Sequence, residues 1–412
     1  MKSVRPSFET LMRSQNMTRW PVRWESVYDE VMEDFEKNGC VLLDPDYYDR
    51  IGEKYGMLRD FRDDYKLAAI ETAKDEELSR VLALICDTMR HRKTAMAEAD
   101  AIDLPHNADG SYEIKYEMIT ALAMAYMADY TYGLVKARDL PEHQISYAMN
   151  VFDGMIKTYK ARNDGRAGAM SWAWYQLGVD ARLFDMGRLQ IEMDAKFPPR
   201  ATVFENTDGE TIALAQNVML HRDGHILGSA NYEDEEGSWK PVIEETDDAF
   251  CGYAYDRYGL VKREKLTLKK SEWHKIIEPG DPMIGLHIPP QAKMNPEAID
   301  KAFADTVEFA AKYYPEFNYK GFICGSWLMD AHLVDLIGED KNISKFSKRF
   351  ERISAKSAAR SVFSFVFLRA DVNNVDLEAL PEKTSLERAL KKHYLSGGVI
   401  HEYYGYIPRN KI

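Results

Sequence analysis

His287 stands in the run Gly285-Leu286-His287-Ile288-Pro289, which otherwise reads as the core of a short strand. A histidine in that setting either makes a hydrogen bond that fixes the strand end or moves a proton, because it titrates near neutrality. Glu192 interrupts Leu189-Gln190-Ile191-Glu192-Met193 in the same way. It is either the outward position of a half-exposed strand or a second proton-transfer group. Cys324, in Phe322-Ile323-Cys324-Gly325-Ser326-Trp327, suggests different chemistry. Within reach of His287, its thiol could act as a nucleophile that carries a covalent acyl group; the other reading is a buried thiol packing as a small hydrophobe. The sequence supplies no third residue to orient such a pair.

Metal chemistry is not indicated. Cys40, Cys86, Cys251 and Cys324 lie far apart with no C-x-x-C pair, so they read as reduced thiols. His221 and His225, the closest histidines, flank Arg-Asp-Gly, a turn signal that breaks the i,i+4 geometry of a helical ligand pair. The chain has 412 residues, enough for roughly two to three domains. Lys plus Arg total 54 against 67 Asp plus Glu, for a net charge of −13. That balance opposes binding to a nucleic-acid backbone or an anionic membrane. The N-terminal stretch lacks an apolar signal core, and no run is long enough to span a bilayer, so a soluble cytoplasmic protein is expected.

The elements that must position these residues follow from periodicity. Trp24, Val27, Tyr28, Val31, Met32 and Phe35 recur at helical spacing before Asn38-Gly39, and Leu78, Val81, Leu82, Ile85 and Met89 repeat the pattern. Further helical stretches run over 116–132 and 143–160, with the most plausible linker near 136–142. From Arg188 onward the texture turns to alternating and β-branched runs broken by Asp208-Gly209 and Asp223-Gly224, which read as hairpin turns. Met283 to Ile288 then reads as a buried strand, Asn295-Pro296-Glu297 as a helix start, GFICGSWL as a second strand, NISKFSKRF as helical, and SAARSVFSFVFL as a third strand. The expected class is α+β: a helical N-terminal domain over 1–140, then a mixed-sheet domain with flanking helices over 141–412, carrying a β-rich insertion around 198–275.

The strings FDMGRLQIEMD, GYAYDRYGLVKREKLTLKKSEWHKIIEPGDPMIGLHIP, FICGSWLMDAHL, KNISKFSKRF and LPEKTSLERAL, in that order and spacing, resemble a bacterial acyltransferase family. Its members join a helical N-acyltransferase N-terminal domain to a GNAT-like C-terminal domain. The resemblance implies that acyl-CoA serves as co-substrate, that no metal is needed, and that an acyl group passes by direct attack to the amine of a small-molecule acceptor. It further implies that acyl-CoA lies between two parallel strands that splay apart, here those holding His287 and Ser326. His287, Glu192 and Ser326 would then be the catalytic group. Leu286, Ile288, Lys293, Met294, Trp327 and Asn342 would contact the coenzyme. The glycine string Q/R-x-x-G-x-G/A that usually cradles the pyrophosphate is missing from IPPQAKMNPEA. Its one formal match, Arg162-x-x-Gly165-x-Ala167, falls between helical patterns with no preceding strand. Two rival readings follow, a non-catalytic module that binds coenzyme A or another ligand, and a hydrolase or transferase working through Cys324 and His287.

Overall fold

The computed structural model describes residues 5–91, 103–169, 172–289 and 294–412. They form two compact units, Met1–Phe184 and Asp185–Ile412. The first contains helices α1 (Phe8–Ser14), α2 (Val22–Asn38), α3 (Pro45–Tyr55), α4 (Arg62–Ala73), α5 (Glu76–Arg90), α6 (Ile114–Glu117), α7 (Ile119–Ala125), α8 (Ala128–Ala137), α9 (Glu142–Arg162) and α10 (Trp172–Val179). Gly39 ends α2 with φ +70°, a conformation that costs other residues a steric clash. Asp75 caps α5 by accepting the amide of Leu78, and the face formed by Leu78, Val81, Leu82, Ile85 and Met89 is buried.

Two expectations need correction in this unit. The helical stretch over 116–132 is broken into α6, α7 and the start of α8. The unit also runs to Phe184 and not to residue 140, because α9 buries Ile145, Ala148, Met149, Phe152 and Ile156 and packs on α8 and α10. Among the described residues no helix is long and apolar enough to cross a membrane.

The second unit is built on a six-stranded sheet in the order β1 (Leu183–Met186), β2 (Leu189–Lys196), β9 (Pro282–His287), β10 (Gly321–Ser326), β12 (Tyr403–Pro408), β11 (Glu351–Ser354). A second sheet is inserted between β2 and β9, as the turn-rich stretch after residue 198 suggests. It is made of β3 (Ala201–Asn206), β4 (Thr211–Ala215), β5 (Glu244–Glu245), β6 (Ala249–Tyr255), β7 (Val261–Lys269) and β8 (Trp273–Ile277). Asp208-Gly209 turns β3 into β4 as expected, with Gly209 at φ +81°. One apolar cluster joins the two sheets: Ala201, Val203, Ala213 and Ile277 from the insertion meet Met283, Ile323, Ile353 and Tyr406 from the main sheet. The opposite face carries α11 (Pro296–Tyr313), whose Phe303 ring packs edge-on against Phe322 at 5.3 Å.

Helices α12 (Ala331–Ile337), α13 (Asn342–Ser347), α14 (Ser361–Phe365) and α15 (Ser385–Leu395) complete the unit. The stretch SAARSVFSFVFL is therefore not a strand. Phe363 and Phe367, one helical turn apart, pack at 6.3 Å, and Phe363 meets Tyr394 at 4.7 Å, so the aromatic spacing there serves a helix. The strands that pair in its place are β11 and β12.

Ile323 is buried where the two sheets meet. We expect Ile323→Ala to lower the stability of this unit by about 2–5 kcal/mol in urea unfolding, the usual result of emptying a close-packed site; a loss below 0.5 kcal/mol would contradict that packing.

Candidate active site

β9 is the pivot of the site. On one side it pairs antiparallel with β2, and the pairing reaches its last residue: Ile191 faces Leu286 and Gln190 faces His287. On the other side it runs parallel to β10, with Ile284 facing Phe322 and Gly285 facing Ile323. Past those two pairs, Cys324, Gly325 and Ser326 of β10 pair with Gly405, Tyr404 and Tyr403 of β12. Among the described residues the β9–β10 ladder goes no further. The paired section of these two parallel strands therefore ends at Gly285 and Ile323, while β9 stays paired with β2 and β10 with β12 along their outer edges.

Side-chain alternation puts Gln190, Glu192, Gly285 and His287 on one face at this parting. Between Glu192 and Ala195, β2 holds one more residue than the matching stretch of β9, and Asp194 adopts φ +61° to accommodate it. Such a bulge sharpens the local twist and re-aims the side chains beside it. Glu192 lies opposite Gly285, where an added Cβ would stand 3.0 Å from the Glu192 Cβ and 3.3 Å from its Oε2. The missing side chain thus lets the carboxylate swing diagonally to His287, whose Nε2 lies 3.0 Å from Glu192 Oε2. Their side chains are 26% and 15% exposed, so the pair is largely shielded yet reachable. A carboxylate can only accept, so the imidazole donates its Nε2–H and its lone pair stays on Nδ1. This is an arrangement suited to taking up a proton.

The other residues marked from the sequence are placed as follows. Ser326 ends β10, and its Oγ accepts the amide of Leu328 at 3.1 Å, so it caps the short turn Trp327–Met329. Trp327 is buried within that turn and packs as core. Leu286 is buried, Ile288 half-buried just past the end of β9, and Met294 buried ahead of α11. Asn342 is exposed at the first residue of α13, where Lys341 holds the cap position, so it does not cap the helix. Lys293 lies outside the described residues. Asn295 does occupy the cap position of α11, but its side chain makes no capping hydrogen bond. Arg162 ends α9 and Gly165 follows in a turn, so no strand leads into that formal glycine match.

The nucleophilic reading of Cys324 does not survive this geometry. Ile323 shares the face of Gly285 and His287, so Cys324 points to the other face, beneath α11. It is 1% exposed, and burial pushes its thiol up to about 12, which leaves no useful thiolate fraction near neutral pH. Among the described residues no group of three or more potential ligands could hold a metal ion. Gly285 was missed at the sequence level, although a glycine two residues before a polar strand end is a usable signal for close side-chain approach.

The family model for the GNAT-like C-terminal domain matches residues 183–407. The chain belongs to the GNAT-like C-terminal domain family. Within this family member the match begins at β1 and runs into β12, so it takes in the whole main sheet and the inserted sheet. Solved structures give the same fold. An acyltransferase in complex with decanoyl-CoA and teicoplanin superposes with a TM-score of 0.60 at 16% identity, over 97% of this chain and 98% of the other. An acyltransferase in complex with CoA and 10C-teicoplanin gives 0.61 at 15%, over 97% and 98%. An acyltransferase mutant in complex with octanoyl-CoA gives 0.61 at 16%, over 98% and 99%. No curated protein matches the chain.

Iodoacetamide treatment of the native protein at pH 8 should leave Cys324 unlabelled while the half-buried Cys40 or Cys251 reacts. Rapid labelling of Cys324, read by peptide mass spectrometry, would reopen the nucleophile reading.

Proposed function

We propose that this chain moves an acyl group from acyl-CoA to an amine of a small-molecule acceptor by direct attack. The observation that carries this reading is the parting of β9 from β10 with the His287–Glu192 pair set at its mouth. Membership in the GNAT-like family and a fold shared with acyltransferases that bind CoA and acyl-CoA support it. One of those relatives holds teicoplanin, so a glycopeptide amine is a sensible first acceptor to assay.

Bound acyl-CoA would supply an activated thioester carbonyl. The backbone of β9 beyond Gly285, with no ladder to β10, and the buried Leu286 would form one wall of its slot. As the acceptor nitrogen attacks, His287 Nδ1 takes its proton, and Glu192 holds the ring and stabilises the imidazolium through Nε2–H. The departing thiolate then needs a proton, which the same imidazolium can return. At α11 the first-turn amides lack a side-chain cap and favour a phosphate, while Pro289, Pro290 and Pro296 remove donors and Glu297 adds a like charge. The coenzyme therefore fits the slot better than it fits a glycine-type cradle.

The test is calorimetry combined with turnover. His287→Gln should lower kcat about 10²–10⁴-fold, the usual worth of a general base, while CoA affinity stays within about threefold. Glu192→Gln should cost less, about 10–100-fold, since it acts through the ring. Unchanged turnover in His287→Gln would remove that residue from the chemistry. A wild-type protein that binds acyl-CoA yet acylates no amine would favour the non-catalytic binding module.

A further inference from the structure

The turn between β1 and β2 holds a cation that the reaction above does not use. Arg188 is only 9% exposed, yet among the described residues its guanidinium makes a single hydrogen bond, from Nη1 to the Pro289 carbonyl oxygen at 3.1 Å. Among the described residues its Nε is buried without a partner, and burial pushes its pKa down. Buried charges in folded proteins are ordinarily paired or fully hydrogen-bonded, because water is lost at high cost. Arg352 in the same unit shows the ordinary solution: its three nitrogens reach the carbonyl oxygens of Met329, Arg257, Phe350 and Ser347 and the Ser347 hydroxyl. Among the described residues Arg188 has no such set of acceptors. What it lacks is an oxyanion.

Its position narrows the ligand. Gln190 faces His287, so Arg188 stands beside the residues that leave β9, and the chain from Pro289 leads on to the start of α11. A parallel strand followed by a crossover helix brings the positive helix end to the same edge of the sheet. Two features of positive character therefore lie where the strand ends and past the slot, on the route a pantetheine arm would take outward.

We infer that Arg188 binds a phosphate of coenzyme A and stands in for the glycine-rich cradle that this sequence lacks. The inference rests on the acyl-CoA reading above. A phosphate would give Nε the acceptor it lacks and engage Nη2 beside it, in the forked geometry for which a guanidinium is shaped.

Calorimetry with the full chain tests it, using CoA, 3′-dephospho-CoA and pantetheine against wild type, Arg188→Gln and Arg188→Lys. Arg188→Gln should weaken CoA at least about tenfold and leave pantetheine unchanged, and Arg188→Lys should lose less, because the charge remains. If 3′-dephospho-CoA weakens in parallel with CoA, the pyrophosphate is the partner; if only CoA weakens, it is the 3′-phosphate. Equal losses for CoA and pantetheine would show a purely structural arginine, and unchanged CoA affinity would likewise overturn the inference. Should Arg188→Gln fail to fold by circular dichroism, the CoA-to-pantetheine affinity ratio of Arg188→Lys decides: a ratio equal to that of wild type sinks it. A wild type that does not bind CoA sinks the acyl-CoA reading itself, which is a different result from wild type and variants binding alike.

Discussion

The site depends on the point at which one ladder of the sheet stops. Among the described residues Gly285 and Ile323 are the last at which β9 and β10 share a ladder; β9 stays paired with β2, and β10 with β12, on both sides of that point. An antiparallel partner satisfies the backbone groups on only one edge of a strand, so the inner edges beyond the parting face one another without pairing. Such edges are normally a liability, and a sheet that keeps them inside a domain has a place for an extended, amide-bearing ligand. A pantetheine arm, with its two amides, is a ligand of that kind.

The surrounding structure holds the parting open. The inserted sheet packs across one face through Met283, Ile323 and Tyr406, and α11 packs across the other through Phe303 and Phe322. Both clusters grip the strands near their paired section and fix it, while the ends are directed by β2 and β12. The bulge at Asp194 adds twist where Glu192 must turn toward His287, and Gly285 leaves the volume through which the carboxylate passes. The His287–Glu192 pair is thus placed by a bulge on one strand and a glycine on its neighbour, with neither residue carried on a loop.

Much of this was legible in the residues. His287 and Glu192 each broke an apolar run, and their side chains prove to be hydrogen-bonded diagonally across the β2–β9 ladder, because polar residues inside strand cores must find partners. The two buried strands, the helix between them and the β-rich insertion were also readable, since their patterns are short and bounded by Pro, Gly and Asn. What could not be read was lateral pairing. Nothing local in Cys324 reveals that the pleat turns it away from His287; that depends on Ile323 facing Gly285, a contact between residues far apart in sequence. The strand at Tyr403–Pro408 and the helix at Ser361–Phe365 were missed for a related reason. Alternating Ser and Phe fits both periods, and only packing on Tyr394 selects the helix.

A crystal structure of the protein soaked with decanoyl-CoA would test the central claim most directly. The account requires the pantetheine chain to run between Leu286–His287 of β9 and Gly325–Ser326 of β10, with the thioester beside His287. Density for the ligand elsewhere, with those segments hydrogen-bonded to each other along their length, would contradict it.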